Sequence, residues 1–323
     1  MKRLLRDLAV LLAVALVTLG MDRLGAYSAL AALLETAVAA ETEAAAESPS
    51  LWPGESAPYL PPAPTPPPPP EAGSEGEELI AALSQGDLRS ASSLAVDQLG
   101  LLREGWSYTI PAEGPQVLIF HTHSCEAYTP QGADTYEASG EFRTLEDSQN
   151  VIAVGDCLAK TLEELGFGVL HDRELYDYPA YNGAYDRSGA AVRQLLEANP
   201  SIRVVIDLHR DSLGGRRTEY LLPDGTRSAQ VMLLLTTGEN GLYHPSWREN
   251  LKLGLELQNR MELDYPGLAR PLFLSPARYI QHLSPGALMV EGGTDANTLA
   301  EAKQASLLFA ECLGKVLEAH REG

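Results

Sequence analysis

Three short stretches of this 323-residue chain carry side chains of the kinds that hold metals and move protons. VLIFHTHSCEAY sets His121, His123 and Glu126 just beyond Phe120, VVIDLHRDS sets His209 beyond Leu208, and ALMVEGG sets Glu291 beyond Val290. A zinc hydrolase needs three protein ligands, an open position for water, and a carboxylate that is not itself a ligand. His123 and Glu126 supply two ligands from one loop and His209 supplies a third. Glu291 is then left to take the proton from the attacking water.

The order H-x-x-E, then H, then E resembles that of the zinc carboxypeptidases, and it favours His123 over His121 as the ligand. His121 is left as a hydrogen-bond donor behind the ligands or as an oxyanion contact. A single histidine at a strand end is usually structural; the coincidence of two histidines and two glutamates at three strand ends carries the reading. His171 also follows a strand but has no second ligand beside it, and His244, His282 and His320 read as loop or terminal residues. Cys125 has His123 nearby as a base for a thiol nucleophile. A thiolate beside zinc would bind the metal instead, so it is assigned no catalytic role.

These residues need a scaffold that brings strand ends together. From Pro115 onward, strands alternate with helices: short apolar runs at 117–120, 167–170, 202–208, 231–235 and 287–290, and helical periodicity over 150–165, 190–198, 247–262 and 298–320. That alternation predicts an α/β fold, a mostly parallel sheet flanked by helices, with functional groups at the carboxyl ends of the strands. The domain is placed at 113–323, behind a short helical lead-in at 77–112.

Ahead of it, Lys2, Arg3 and Arg6 precede an uncharged apolar run from Leu8 to Met21. This is the layout of an export signal or anchor, although the run falls short of the roughly 20 residues of a straight span. The segment 1–25 is read as a membrane anchor, with the rest of the chain on the outer, wall-facing side. Residues 26–76 are rich in Ala, Glu and Pro, densest from Pro61 to Pro70. Proline fixes φ and lacks an N–H, so this stretch reads as a disordered, extended linker.

Charge narrows the partners. Against 24 Lys and Arg stand 44 Asp and Glu, a net of −20, which repels phosphate backbones and excludes nucleic acid as the expected partner. Cys125, Cys157 and Cys312 have neither CxxC spacing nor a paired pattern, so neither a disulfide framework nor a cysteine-built zinc finger is expected.

HTHSCEAY, DSQNVIAVGDCLAKTLEELGFGVLHD, VVIDLHRDS and YIQHLSPGALMVEGGTDANTLAEA together resemble the stage II sporulation protein P family, from about Pro115 to Leu317. The resemblance implies a zinc-dependent N-acetylmuramoyl-L-alanine amidase on an amidase-like α/β fold, with Zn2+ as cofactor and peptidoglycan as substrate. It further implies action beside a sporulation protein D-like transglycosylase during engulfment. It carries His123 and His209 over as zinc ligands and Glu291 as the catalytic glutamate. Arg210, Asp211, Arg278, Tyr279 and Gln281 fall in motif stretches and are expected to line the substrate groove. Related amidases take a glutamate just ahead of the first helix, here Glu146; Glu126 is preferred because its spacing fixes it beside His123. The competing readings are a zinc endopeptidase acting on stem-peptide cross-links and a non-catalytic wall-binding scaffold, for which Glu291 would have no use.

Overall fold

A computed structural model describes residues 88–129 and 142–322. The anchor and linker expected at 1–25 and 26–76, and the first part of the lead-in, lie outside them. Among the described residues no helix is long and apolar enough to cross a membrane.

In chain order the elements are β1 (Leu88–Ser90), α1 (Gln98–Glu104), β2 (Val117–Phe120), α2 (Val151–Glu164), β3 (Val169–His171), α3 (Ala184–Ala198) and β4 (Val204–Asp211). Then come a small hairpin of β5 (Tyr220–Leu221) and β6 (Arg227–Ser228), β7 (Val231–Thr236), α4 (Trp247–Asp264), β8 (Leu272–Ser275), β9 (Ala287–Thr294) and α5 (Leu299–Ala319). Seven strands form one sheet in the order β1-β8-β7-β9-β4-β2-β3.

Every pairing in that sheet is parallel except β7 with β9. The chain leaves the carboxyl end of β4, turns through β5 and β6, and returns as β7 with no helix between, so β7 runs opposite to β4 and β9. Parallel neighbours need a helical crossover, and that connection lacks one.

Strand alternation divides the core between the two faces. Val117, Ile119, Val204, Ile206, Leu208, Leu288 and Val290 join the larger cluster, shared with α2, α4 and α5. Leu118, Phe120, Val205 and Ala287 join the smaller one, which α3 covers with Val192 and Leu196. The second face is apolar only at its base. Beyond Val205 on β4 the same parity reaches Asp207 and His209, and beyond Ala287 on β9 it reaches Met289 and Glu291.

Helix ends follow local chemistry. The Asn150 side chain accepts the Ile152 amide at 2.9 Å to open α2, and Thr298 with Glu301 forms a reciprocal capping box on α5. Helix α3 begins six residues ahead of the expected start at 190. Its first turns bury Ala184, Ser188 and Gly189, residues too small or polar to register as apolar periodicity. A Cβ on Gly189 would stand 3.1 Å from Ile280 Cγ2, so the small residue permits the close approach.

The boundary at 113 is corrected. β1 pairs with β8 as an edge strand, and Trp106 is buried with its indole N–H donating to the Pro285 carbonyl at 3.1 Å. Residues 88–112 therefore belong to the sheet domain. The expected helical lead-in contributes one short strand and α1.

Candidate active site

His209 and Glu291 are register partners on the adjacent parallel strands β4 and β9, so both side chains project from the same face, above the apolar base. Both are buried. His123 and Glu126 come from the loop after β2, whose backbone closes on itself and on α2: Glu126 N–H donates to His123 O at 3.0 Å and Val151 N–H to Glu126 O at 2.8 Å. Glu126 Oε2 thereby lies 3.4 Å from His209 Nδ1.

Two donors each about 2.1 Å from a tetrahedral zinc ion are separated by about 3.4 Å, the spacing His209 Nδ1 and Glu126 Oε2 show. The His123 ring stands 5.3 Å from the His209 ring at 81°, and its Nδ1 is buried with no hydrogen-bond partner. Among the described residues no three His, Cys, Asp or Glu side chains stand at metal-holding distances as they are. The set is one pair at ligand spacing with a third, orphaned donor alongside. In chemistry and burial it fits zinc.

Charges of both signs crowd the cluster. Burial works against a charged His209, but Asp207 and Glu126 outweigh it and hold its pKa well above the usual range. Burial pushes the Glu126 carboxyl up, yet His209 and Arg210 bring it below the ordinary value. Burial, reinforced by His209, lowers His123. Glu291, pushed up mainly by burial and then by Glu126 and Asp211, reaches about 8, and its Oε2 has no hydrogen-bond partner.

Asp207 explains two motif residues at once. Its carboxylate accepts Thr122 N–H at 2.8 Å and Thr122 Oγ1 at 2.7 Å, fixing the middle of His-Thr-His. Asp207 Oδ1 also lies 2.8 Å from His209 Nε2, close in distance but off the ring N–H direction. The Asp-x-His spacing of β4 thus places a carboxylate behind the ligand ring and leaves Nδ1 toward Glu126.

Arg210 is buried and faces the loop. Its amide donates to Glu126 Oε2 at 3.1 Å and its Nε to Ala127 O at 2.8 Å. Asp211 pairs with Arg270 at 2.8 Å. Gln281 is buried, its carbonyl accepting from Thr236 and its amide donating to Leu234 O, so its polar atoms brace β7. Arg278 is half-buried and donates to Tyr243 O at 3.4 Å. Of the five expected groove residues, Arg210 thus touches a candidate ligand, while Asp211 and Gln281 are engaged in structural contacts.

Glu146 is exposed ahead of the 3-10 turn at Asp147–Gln149, whereas Glu126 is buried beside both histidines. His121 is completely buried, its Nδ1 donating to Leu208 O at 2.9 Å. Its other nitrogen therefore accepts from His171 Nε2 at 2.9 Å, which leaves no atom for an oxyanion. Cys125 is buried, and burial together with Asp177 pushes its thiol up to about 12. It is protonated at neutral pH and unsuited to act as a nucleophile.

Asp177, Arg143, Tyr181 and Tyr185 did not stand out in the sequence. Asp177 accepts Cys125 N–H at 3.2 Å, lies 3.9 Å from His123 Nδ1 and pairs with Arg143. The rings of Tyr181 and Tyr185 both contact His123. The available signal was aromatic density: YDYPAYNGAY holds four tyrosines in ten residues, 176–185.

The sequence profile of the stage II sporulation protein P family matches residues 68–314. The chain is 29% identical over 213 residues to Stage II sporulation protein P of Bacillus subtilis, covering 62% of this chain and 50% of that protein. The chain thus spans half the length of that relative. Among solved structures, the N-acetylmuramoyl-L-alanine amidase AmiC2 of Nostoc punctiforme superposes with a TM-score of 0.38 at 13% identity, over 64% of this chain and 97% of that one. The CwlD amidase from Clostridioides difficile, solved in complex with the GerS lipoprotein, gives 0.39 at 12% identity, over 63% and 99%.

Proposed function

The chain belongs to the stage II sporulation protein P family, and from that membership and the site we propose that it is a zinc-dependent peptidoglycan hydrolase. The bond cut is the amide between N-acetylmuramic acid and L-alanine. The observation that carries this reading is the in-register pairing of His209 with Glu291 beside Glu126 and His123. It sets a neutral-prone, unbonded carboxyl next to a His/Glu/His donor set.

His123, Glu126 and His209 would hold the ion, which when bound would polarise the scissile carbonyl and lower the pKa of water to about 7. Glu291 takes the proton from the attacking water and returns it to the departing amine nitrogen, which leaves as a neutral amine. Burial suits Glu291 to that double duty, because a carboxyl titrating near the working pH both accepts and releases protons. Arg210 and Asp207 hold the loop after β2 in place.

An endopeptidase acting on stem-peptide cross-links would use the same residues, and a wall-binding scaffold would need only the fold. The buried Glu291 speaks against the scaffold, since an unpaired carboxyl in that position costs stability without binding anything. In the cell the reading places the domain outside the membrane on its proline-rich tether. There it works on peptidoglycan beside a sporulation protein D-like transglycosylase. Mass spectrometry of muropeptides released by the zinc-loaded protein tests the reaction. Peptides freed with an intact L-alanine amino terminus support it; cleaved cross-links with sugar still attached to peptide would refute it.

A further inference from the structure

A series of aromatic rings runs alongside the candidate ligand His123. Tyr181 lies flat on its imidazole, ring centroids 4.4 Å apart and planes within 5°. Tyr185 meets the same imidazole edge-on at 5.4 Å, and Tyr279 follows at 5.1 Å from Tyr185. Tyr181 nevertheless keeps 55% of its surface in solvent. The Arg143 guanidinium, 5.1 Å from its centroid, is drawn to the imidazole side by Asp177, which both Arg143 and His123 approach. Among the described residues, His123 and Arg143 thus lie toward one face of Tyr181 and leave the other open. Tyr279 sits at φ +44, a backbone conformation costly for a bulky residue and one that clusters at functional sites.

We infer that these tyrosines form the sugar subsite, with the open face of Tyr181 stacking on the N-acetylmuramic acid ring. The inference rests on the amide-hydrolase reading above and names where its glycan goes. The sugar carbon bearing the lactyl ether is three bonds from the scissile carbonyl carbon. At about 1.5 Å per bond the pyranose starts within about 4.5 Å of the reacting atom. Tyr181, stacked 4.4 Å from a candidate ligand imidazole, lies beside the position where that carbonyl would be held. The chemistry matches as well: a pyranose offers a face of C–H groups to the electron-rich face of an aromatic ring. An acidic stem peptide has no ring to stack and would seek cations, and Arg143 is already committed to Asp177.

The test uses the full chain loaded with zinc and titrated calorimetrically with peptide-free glycan strands and, separately, with free stem peptide. Tyr181→Ala is expected to bind glycan about tenfold more weakly. Tyr181→Phe should stay within about twofold of the unmodified protein, and stem-peptide binding should not change. Zinc content is read for each variant. Unchanged glycan affinity in Tyr181→Ala would overturn the inference. So would a loss confined to stem peptide, or a loss of glycan binding that only tracks loss of zinc, which would make Tyr181 a prop for His123. Muropeptide products report separately: cross-link cleavage with the lactyl amide intact overturns the amidase reading, while the glycan titration still decides the subsite.

Discussion

His209 and Glu291 occupy paired positions on β4 and β9, so a candidate metal ligand and a candidate proton acceptor are fixed relative to each other by a backbone ladder rather than by loops. Side chains at paired positions of neighbouring strands stand side by side on one face. Both strands are buried almost throughout. Holding the two groups on rigid elements suits a reaction in which the base must stand within hydrogen-bond reach of a water beside the metal.

Glu291→Gln keeps the shape and removes the proton acceptor. The variant is expected to retain about one zinc per chain and to lose roughly 10²–10⁴-fold in hydrolytic rate, the usual worth of a general base. Metal analysis beside a muropeptide release assay checks it. Near-normal turnover would assign the base elsewhere.

Glu126 and Glu146 are separated by burial as well as by sequence. Glu126→Ala is expected to empty the site, since its carboxylate lies at ligand spacing from His209. Glu146→Ala, at an exposed position ahead of a short turn, is expected to leave zinc unchanged and stability within about 1 kcal/mol. Zinc content of the two variants, measured side by side, decides between them.

Asp207→Asn tests the carboxylate behind the ligand ring. Partners of this kind orient a ligating histidine and raise its basicity, and losing one typically costs 10–100-fold in metal affinity. Asparagine keeps the size and one of the two Thr122 bonds, its carbonyl accepting the Thr122 N–H while its NH2 takes the place of the oxygen that accepts the hydroxyl. Competition with a chromophoric chelator is therefore expected to show zinc affinity falling by about that factor while far-ultraviolet circular dichroism is unchanged.

The grouping of the candidate site residues was more legible than the packing that frames it. His123, Glu126, His209 and Glu291 could be picked out because metal ligands and bases are rare residue types at strand ends, and β4 and β9 are long apolar runs that declare themselves. The reversal at β7 was not legible, because a strand's direction depends on whether a helix intervenes in the connection and the β5–β6 hairpin is too short to register. The start of α3 was hidden because it packs through Ala184, Ser188 and Gly189, where closeness rather than hydrophobicity is what matters. Gln281 was read from motif membership as a groove residue, yet its side chain is hydrogen-bonded to β7. Position in a motif does not distinguish a residue that touches substrate from one that braces a strand.

Above about pH 7, metal-free stability should fall as pH rises, and two groups of the site set the direction. Glu291 titrates at about 8 in the fold against an ordinary 4.5, so between those values the native state holds a proton that the unfolded chain has released. Stability depends on pH through the difference in bound protons, and here that difference makes it decline from about pH 4.5 to about pH 8. A shift of that size corresponds to at most on the order of 5 kcal/mol. His209, raised by Asp207 and Glu126 against the opposing effect of burial, acts in the same sense. Its contribution is fully present below about pH 6.5 and is lost as pH climbs through its folded value. Glu126, held below the ordinary carboxylate range, limits the gain on the acid side, since its contribution disappears as pH falls through its folded value. Burial lowers His121, His123, His171, His244 and His282, so below about pH 6.5 they work the other way, and chelator-treated protein is expected to lose urea resistance between about pH 7 and pH 8.5. Glu291→Gln should flatten much of that alkaline decline, because the amide has no proton to lose, while leaving the His209 part. Urea midpoints at pH 7 and 8.5 for both proteins measure the effect, and a wild-type midpoint that holds steady or rises across that range would contradict the assignment of a proton to buried Glu291.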